Sequence, residues 1–278
     1  MPRPSSLVWL RPLAFAATLV VGVLYFSYPS ADYLYKAGSF SLARPLYLIS
    51  AVMGNDKAQH QLASMHMKAQ GGPYNPSAAA SWYARAAGQG NGLSATALGD
   101  IYLKGVGVDA DPVKAVALFE QAAGQGEEEA ILNLGRLYSE GTNGVPKNGE
   151  KARYWYEQGA ERNIPAAQYG LAGLHASGEL VPRNLRQAEF WYLKAARRGH
   201  AKAQLELGTL YLKQPPSAIS VKGAQVWLTE ASRQKETASA AQEHLSTLCR
   251  NNPALTCPQT APGPSLGALL PPAARRRL

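Results

Sequence analysis

The sequence predicts an all-α protein: a right-handed α-solenoid of about five helix-turn-helix repeats, preceded by an N-terminal apolar anchor helix. Three observations predict it. A Leu-small pair, a large apolar residue (mostly Trp) and an N-capping residue each recur every 36 or 37 positions. Helix starts and helix stops alternate within each period as two helices per unit demand. One uncharged apolar stretch precedes all of them.

Self-similarity at a fixed period of this length is the signature of a helical repeat array. Leu98-Gly99, Leu134-Gly135, Leu171-Ala172 and Leu207-Gly208 recur at spacings of 36, 37 and 36, and Leu62-Ala63 lies 36 before the first. Trp82, Leu118, Trp155, Trp191 and Trp227 recur at 36, 37, 36 and 36, each followed by a pair of small residues such as Ala86-Ala87 or Gly159-Ala160. Asn75, Asp111, Asn148, Asn184 and Ser220 form a third column, and all are residue types favoured at a helix N-cap. Pro76 and Pro112 follow two of them, where proline suits the first helical position. Gln187, three after Asn184, resembles a capping box. Each cap therefore starts the second helix of a pair.

The stops are equally regular. Gly54, Gly90, Gly126 and Gly199, with Asn163, close second helices, and Gly105, Gly141 and Gly178 close first helices. Gly and Asn are the residues that tolerate the left-handed conformation after a helix. The one 37-residue spacing arises from an extra residue between Gly141 and Lys147, in an interhelical loop. A surface loop absorbs such an insertion at little cost. Each unit thus reads as a helix A with Ala-x-x-x-Leu-Gly-x-x-Tyr, a loop, a capped helix B with Trp-Tyr and Ala-Ala, and a stop. Small residues let helices approach, and the Leu, Tyr and Trp columns are expected to stack from unit to unit.

The residues Leu98-Gly99-x-x-Tyr102-x-x-Gly105-x-Gly107-Val108, Lys114-Ala115 and Ala122-Ala123-x-x-Gly126 resemble the Sel-one-like repeat, a relative of the tetratricopeptide repeat. Leu134-Gly135-x-x-Tyr138-x-x-Gly141, Lys151-Ala152 and Trp155-Tyr156 carry the resemblance in the next unit, and Leu207, Gly208, Tyr211 and Trp191 carry it further on. It covers residues 56 to 234. The resemblance implies adaptors and scaffolds, many in bacterial envelopes, and names no partner. Cysteine-rich relatives are linked to penicillin binding and hydrolysis. Their paired cysteines within each repeat are missing here.

The domain reading follows. Residues 1–30 hold a cytoplasmic N-terminus and the anchor or signal segment. Residues 31–249 hold the solenoid: a half repeat 39–54, repeats 56–91, 93–127, 129–163, 166–200 and 202–235, and a capping helix 237–249. Residues 250–278 form a Pro-rich basic tail expected to be disordered. Pro45 should shorten or bend the start of the half repeat, whose helix A would fall inside the apolar segment. Pro215-Pro216 replace a glycine stop in the last loop.

Leu13 to Tyr28 is uncharged and borderline for a membrane span, which needs ~17–20 residues. Arg3 and Arg11 precede it without an acid, so the positive-inside rule keeps the N-terminus cytoplasmic and exports the rest. The expectation is a single pass through a bacterial inner membrane with the bulk in the periplasm, or secretion there after cleavage; Pro29 fits a cleavage site near Ala31 poorly. Cys249 and Cys257 could form a local disulfide in an oxidising compartment, and in a cytosol they would be free thiols.

The net charge is +9, of which Arg3, Arg11 and Arg275 to Arg277 supply five. No basic stripe with interleaved aromatics exists, which excludes a nucleic-acid reading. Gly105-Val-Gly107-Val follows a helix rather than a strand and lacks the Lys-Ser or Lys-Thr of a phosphate loop. His66 and His175 occupy a Tyr column as packing residues, and His60 and His66 are six apart, off one metal-binding face. Glu127-Glu128-Glu129 suits the positive end of a helix dipole. No catalytic residue, cofactor, metal or small-molecule substrate is expected.

Function therefore falls to a partner-binding groove lined by the A helices. The column two after each Leu holds Asp100, Arg136, Gly173 and Thr209, and the column six after holds Lys104, Glu140, Ser177 and Lys213. Variation among fixed columns is what a partner-specific face shows, and an idle solvated face shows it too. The expectation is a membrane-anchored protein-interaction scaffold facing the extracytoplasmic side and serving an envelope complex. The alternatives are an envelope enzyme, such as a cell-wall or β-lactam hydrolase, and a cytoplasmic regulatory adaptor.

Overall fold

The structure, a computed structural model, describes residues 27–142, 144–253 and 255. The apolar segment before residue 27 and the tail from residue 256 lie outside the described residues. The described chain is all-α. Helix α1 covers residues 27–36. There follow α2 (Phe40–Val52), α3 (Asp56–Met67), α4 (Pro76–Gly88), α5 (Gly92–Lys104), α6 (Pro112–Gly124) and α7 (Glu128–Glu140). The remainder are α8 (Gly149–Glu161), α9 (Pro165–Ser177), α10 (Leu185–Arg197), α11 (Ala201–Lys213), α12 (Ala218–Ser232) and α13 (Ala238–Asn251). The only extended pairing among the described residues is an isolated bridge between Thr142 and Val145, in the loop that holds the extra residue.

These residues fall into two compact units, 27–130 with 142, 144 and 145, and 131–141 with residues 146 onward. Within each unit a helix packs chiefly on its neighbours in sequence: α2 to α6 in order in the first, α8 to α13 in the second. That is the contact pattern of stacked helix pairs.

Local chemistry sets the boundaries. The side chains of Asn75, Asp111, Asn148 and Asn184 accept from the backbone N–H of Ala78, Lys114, Lys151 and Gln187. Asn55, Asn91 and His200 do the same for the A helices, accepting from Ala58, Ser94 and Ala203. Such caps contribute about 1 kcal/mol each. The stops at Gly54, Gly90, Gly126, Gly199, Gly105, Gly141, Gly178 and Asn163 all have positive φ.

Two starts differ from expectation. Helix α12 begins three residues early, because Ser217, not Ser220, is its cap. Ser217 accepts from the Ser220 N–H while the Ser220 hydroxyl accepts from the Ser217 N–H. The last-loop prolines hold Gln214 extended and move the start. Helix α2 is not shortened by Pro45. Ser41 and Pro45 are both exposed, so the Ser41 carbonyl that loses its donor faces water.

The core shows where the spine runs. Trp82, Trp155 and Trp191 are only half-buried, and Trp227 alone of that column is fully buried. The buried column is the next one: Tyr47, Tyr83, Phe119, Tyr156, Tyr192 and Leu228. The expectation that the Trp column forms the spine is therefore corrected by one position. Adjacent helix positions lie about 100° apart, so the residue after the Trp column is the one pointing inward.

The Leu-Gly pairs explain why that ring fits. A Cβ on Gly99 would stand 2.6 Å from the Phe119 ring, and one on Gly208 would stand 2.7 Å from Leu228. Tyr156 is clamped from two sides, since a Cβ on Gly135 or on Gly170 would approach its ring to 2.5 Å. The helix-A glycine is thus the socket for the helix-B ring. A second device joins one unit to the next. The buried amides of Gln59, Gln168 and Gln204 donate to the carbonyls of Ala51, Ala160 and Ala196, eight residues earlier at the end of the preceding helix B. These bonds satisfy carbonyls that a helix C-terminus otherwise leaves open.

Gly99→Ala should cost ~1–3 kcal/mol of stability through overpacking. Gly124→Ala, where the added Cβ meets nothing within 4 Å, should be neutral or slightly stabilising. Urea denaturation of the two variants checks the pair.

Candidate functional site

A cleft of about 230 Å³ opens in the first unit between α3, α4 and α5. Its walls are Met67, Tyr83, Ala97, Ile101 and Val106, and Asp100 and Lys104 stand in its lining with them. The floor is fixed by the repeat itself. Tyr83 and Ile101 are buried members of the core columns. Burial pushes the Tyr83 hydroxyl's pKa up, and a hydrogen bond with Ser64 pulls the other way. The His60 ring meets Tyr83 edge-on at 5.4 Å, and its Nδ1 lies 2.9 Å from the Ser94 hydroxyl. The side-chain amide of Asn91 donates to Asp56 at 2.8 Å. These bonds tie α3 to α5 and hold the floor still.

Asp100 and Lys104 are one turn apart on α5, so a carboxylate and an ammonium share one edge of an apolar slot. Arg136 and Glu140 occupy the same register on α7, both exposed, with Arg136 donating to Asn133 at 3.2 Å. Thr209 donates to the Leu205 carbonyl one turn back, and Lys213 is exposed at the end of α11. Of the eight column residues named from the sequence, the structure brings Asp100 and Lys104 into one cleft. The other six line neither this cleft nor the second one. Met67, Tyr83, Ala97, Ile101 and Val106 were not flagged. Only the packing of three helices brings them together.

The second cleft, about 410 Å³, lies in the second unit and is lined by Tyr211, Leu212, Val221, His244, Leu248 and Asn251 among others. It is built where the chain departs from its repeat, at the shifted start of α12 and the terminal α13. The first cleft is the stronger candidate, because its edge comes from the columns that vary between otherwise fixed positions. Cys249, near the second cleft on α13, is disulfide-bonded.

The lysine of each Lys-Ala pair has a defined place. The Lys114 ammonium donates to the Tyr102 hydroxyl at 2.7 Å and lies 4.2 Å from its ring centre, and Lys151 stands 4.9 Å from the Tyr138 ring. A cation over an aromatic face is worth ~0.5–1 kcal/mol at exposed sites. These lysines pin helix A to helix B. No cluster of three or more His, Cys, Asp or Glu suited to a metal ion occurs among the described residues.

A family model described as Sel1 repeat matches residues 56–91, 92–127, 128–164 and 165–200, more than half of the chain. A comparison with curated proteins found no match. Among solved structures, the chain is similar to a Sel1 repeat protein from Oxalobacter formigenes, at 27% identity and a TM-score of 0.65, covering 80% of this chain and 86% of that one. It is also similar to a protective antigen of uropathogenic Escherichia coli described as displaying an SLR fold, at 20% identity and a TM-score of 0.48, covering 87% and 66%. A third, a Sel1 repeat protein from Klebsiella pneumoniae, shows 21% identity and a TM-score of 0.43, covering 66% and 91%.

Three histidines couple the fold to pH. Burial lowers the pKa of His60, reinforced by Lys68 and opposed by Asp56. Burial and the Arg44 guanidinium lower that of His66. Burial lowers that of His200, opposed by Glu236, and its ring caps α11 as an acceptor. Below the ordinary imidazole value of 6.5 the unfolded chain binds protons that the folded chain refuses. The stability is therefore complete above that pH and is lost as pH falls toward the lowered folded values. Melting temperature should hold above about pH 7 and fall toward about pH 5. His200→Asn, which keeps a capping acceptor, should flatten part of that slope, and a pH-independent melt would contradict the account.

Proposed function

The chain belongs to the Sel1 repeat family, and on that premise we propose that it is a protein-interaction scaffold whose first unit receives a protein segment in the α3–α5 cleft. The observation that carries this is the cleft's form: an apolar floor, a carboxylate and an ammonium one turn apart on its edge, and about 230 Å³ of space. Pockets for small molecules run from ~300 to ~1,000 Å³. This one admits one or two apolar side chains, and Asp100 and Lys104 orient whatever carries them. An amphipathic helix or short peptide with an apolar anchor beside a charge pair meets that description.

The scaffold is placed on the extracytoplasmic side of a bacterial inner membrane, tethered through Leu13 to Tyr28, where it serves an envelope complex. The uncharged stretch with Arg3 and Arg11 ahead of it supports the tether. The disulfide at Cys249 supports an oxidising compartment. No helix among the described residues is long and apolar enough to cross a membrane, so the tether rests on the segment that precedes them.

Affinity capture from solubilised membranes with the full chain as bait should return a reproducible protein partner. Ala97→Phe, which fills the cleft, should weaken that partner's binding by about tenfold or more. Asp100→Lys should weaken it with a changed salt dependence. Arg85→Ala, on the outer face of α4, should leave it unchanged. A partner indifferent to Ala97→Phe would place recognition elsewhere. A reporter fused to the C-terminus should be active only as an exported domain, and cytoplasmic activity would overturn the placement.

A further inference from the structure

Helix α2 differs from every other helix B on its water-facing side. From Leu42 to Met53, every exposed residue is apolar: Leu42, Pro45, Leu48, Ile49, Val52 and Met53. Leu42, Val52 and Met53 are 61%, 64% and 58% exposed. The same columns one period later hold Ala78, Ser81, Ala84, Arg85, Gly88 and Gln89, and two periods later they include Lys114, Glu120 and Gln121. In α8 they include Lys151, Glu157 and Glu161, and in α10 Lys194, Arg197 and Arg198. These columns also hold exposed Tyr154 and Phe190, but α4, α6, α8 and α10 each interrupt them with charged residues, and the exposed residues from Leu42 to Met53 include none. A contiguous apolar face on a soluble surface marks a contact.

The position of α2 says which contact. The described part of α1 overlaps the end of the apolar stretch and already belongs to the core. Ser27 bonds Ser50 hydroxyl to hydroxyl at 2.5 Å, Tyr28 meets the Tyr47 ring edge-on at 6.0 Å, and Ala31 is fully buried. At the far end Tyr35 meets Phe40 at 5.1 Å, so α1 and α2 run antiparallel. The second half of α2 is therefore level with the end of the uncharged stretch Leu13 to Tyr28. Leu48, Ile49, Val52 and Met53 stand at that level or beyond it. The exposed ammonium of Lys57 follows at the start of α3, where a long cationic side chain reaches headgroups.

We propose that the outer face of α2 lies in the interface of the lipid bilayer and seats the solenoid on the membrane. This rests on the tether proposed above and goes beyond it. A tether alone lets the repeats swing. Here Ser27, Tyr28 and Ala31 pack on α2 at the end of the stretch, and α2 adds a second attachment beside the first. Interfacial helices bury such a face ~5–10 Å into the headgroup and acyl boundary.

The test uses the full chain reconstituted in phosphatidylethanolamine and phosphatidylglycerol vesicles. An environment-sensitive fluorophore is attached at Val52→Cys, with Glu120→Cys on the outer face of α6 as control; Cys249 is held in its disulfide. The label at 52 should show blue-shifted emission quenched by brominated acyl chains, and the label at 120 should show neither. Resistance of the unmodified chain to alkaline carbonate extraction tests the tether separately. A water-like label at 52 on a carbonate-resistant chain would overturn the seating and leave the tether standing. A chain released by carbonate would overturn both. Shielding at 52 that rises with protein density, ignores the brominated lipid and accompanies crosslinks between copies would assign the face to a second copy and overturn the lipid occupant.

Discussion

The close approach of helix A to helix B, an aromatic ring seated against a glycine, is the contact on which the rest of this fold depends. A helix with a Cβ at position 99 or 135 could not come so near Phe119 or Tyr156. The ring would then be forced out of its rotamer, or the helices apart, and a well-packed core tolerates neither cheaply. Burying a large apolar side chain stabilises by ~1.5–3 kcal/mol. Each unit buries a large side chain in this column, and the glycine of its Leu-Gly pair meets that side chain at Phe119, Tyr156 and Leu228. The half-buried tryptophans and the lysine-capped tyrosines lie outside this contact and support it.

The candidate site is built from the same columns. Tyr83 is both the ring of its repeat and the floor of the α3–α5 cleft. Asp100 follows Gly99 directly, so the socket that fixes the helix spacing also fixes the height of the cleft's edge. Recognition and stability are thereby coupled at adjacent residues. The outer columns of each helix are free of that coupling, which is why α2 can replace a polar face with an apolar one without disturbing the units behind it.

Much of this was legible in the sequence, and the misses have physical causes. Caps and stops were readable because each is a local event: Asn148 or Gly105 acts on its own turn and needs no tertiary partner. Period was readable for the same reason, but phase was not. Trp155 and Tyr156 recur equally, and only the position of α7 and α9 decides that the tyrosine points inward. Ser217 and Ser220 are the same residue type three apart, and a rigid column count chose the wrong one because the prolines shift the start of the helix. The edge of the cleft was visible as Asp100 and Lys104, one turn apart in variable columns. Its floor was not, since Met67, Tyr83 and Val106 come from three other segments and meet only when the helices stack.

The central claim is that glycine and ring form one coupled contact. A double-mutant cycle between Gly99→Ala and Phe119→Ala in the full chain tests it most directly, with unfolding free energies read from urea titrations. If the ring is what the added methyl meets, Gly99→Ala should lose most of its cost once the Phe119 ring is gone, with a coupling energy of ~1–3 kcal/mol. Additive effects, with Gly99→Ala as harmful in the Phe119→Ala background as beside the native ring, would show that the contact does not set the helix spacing.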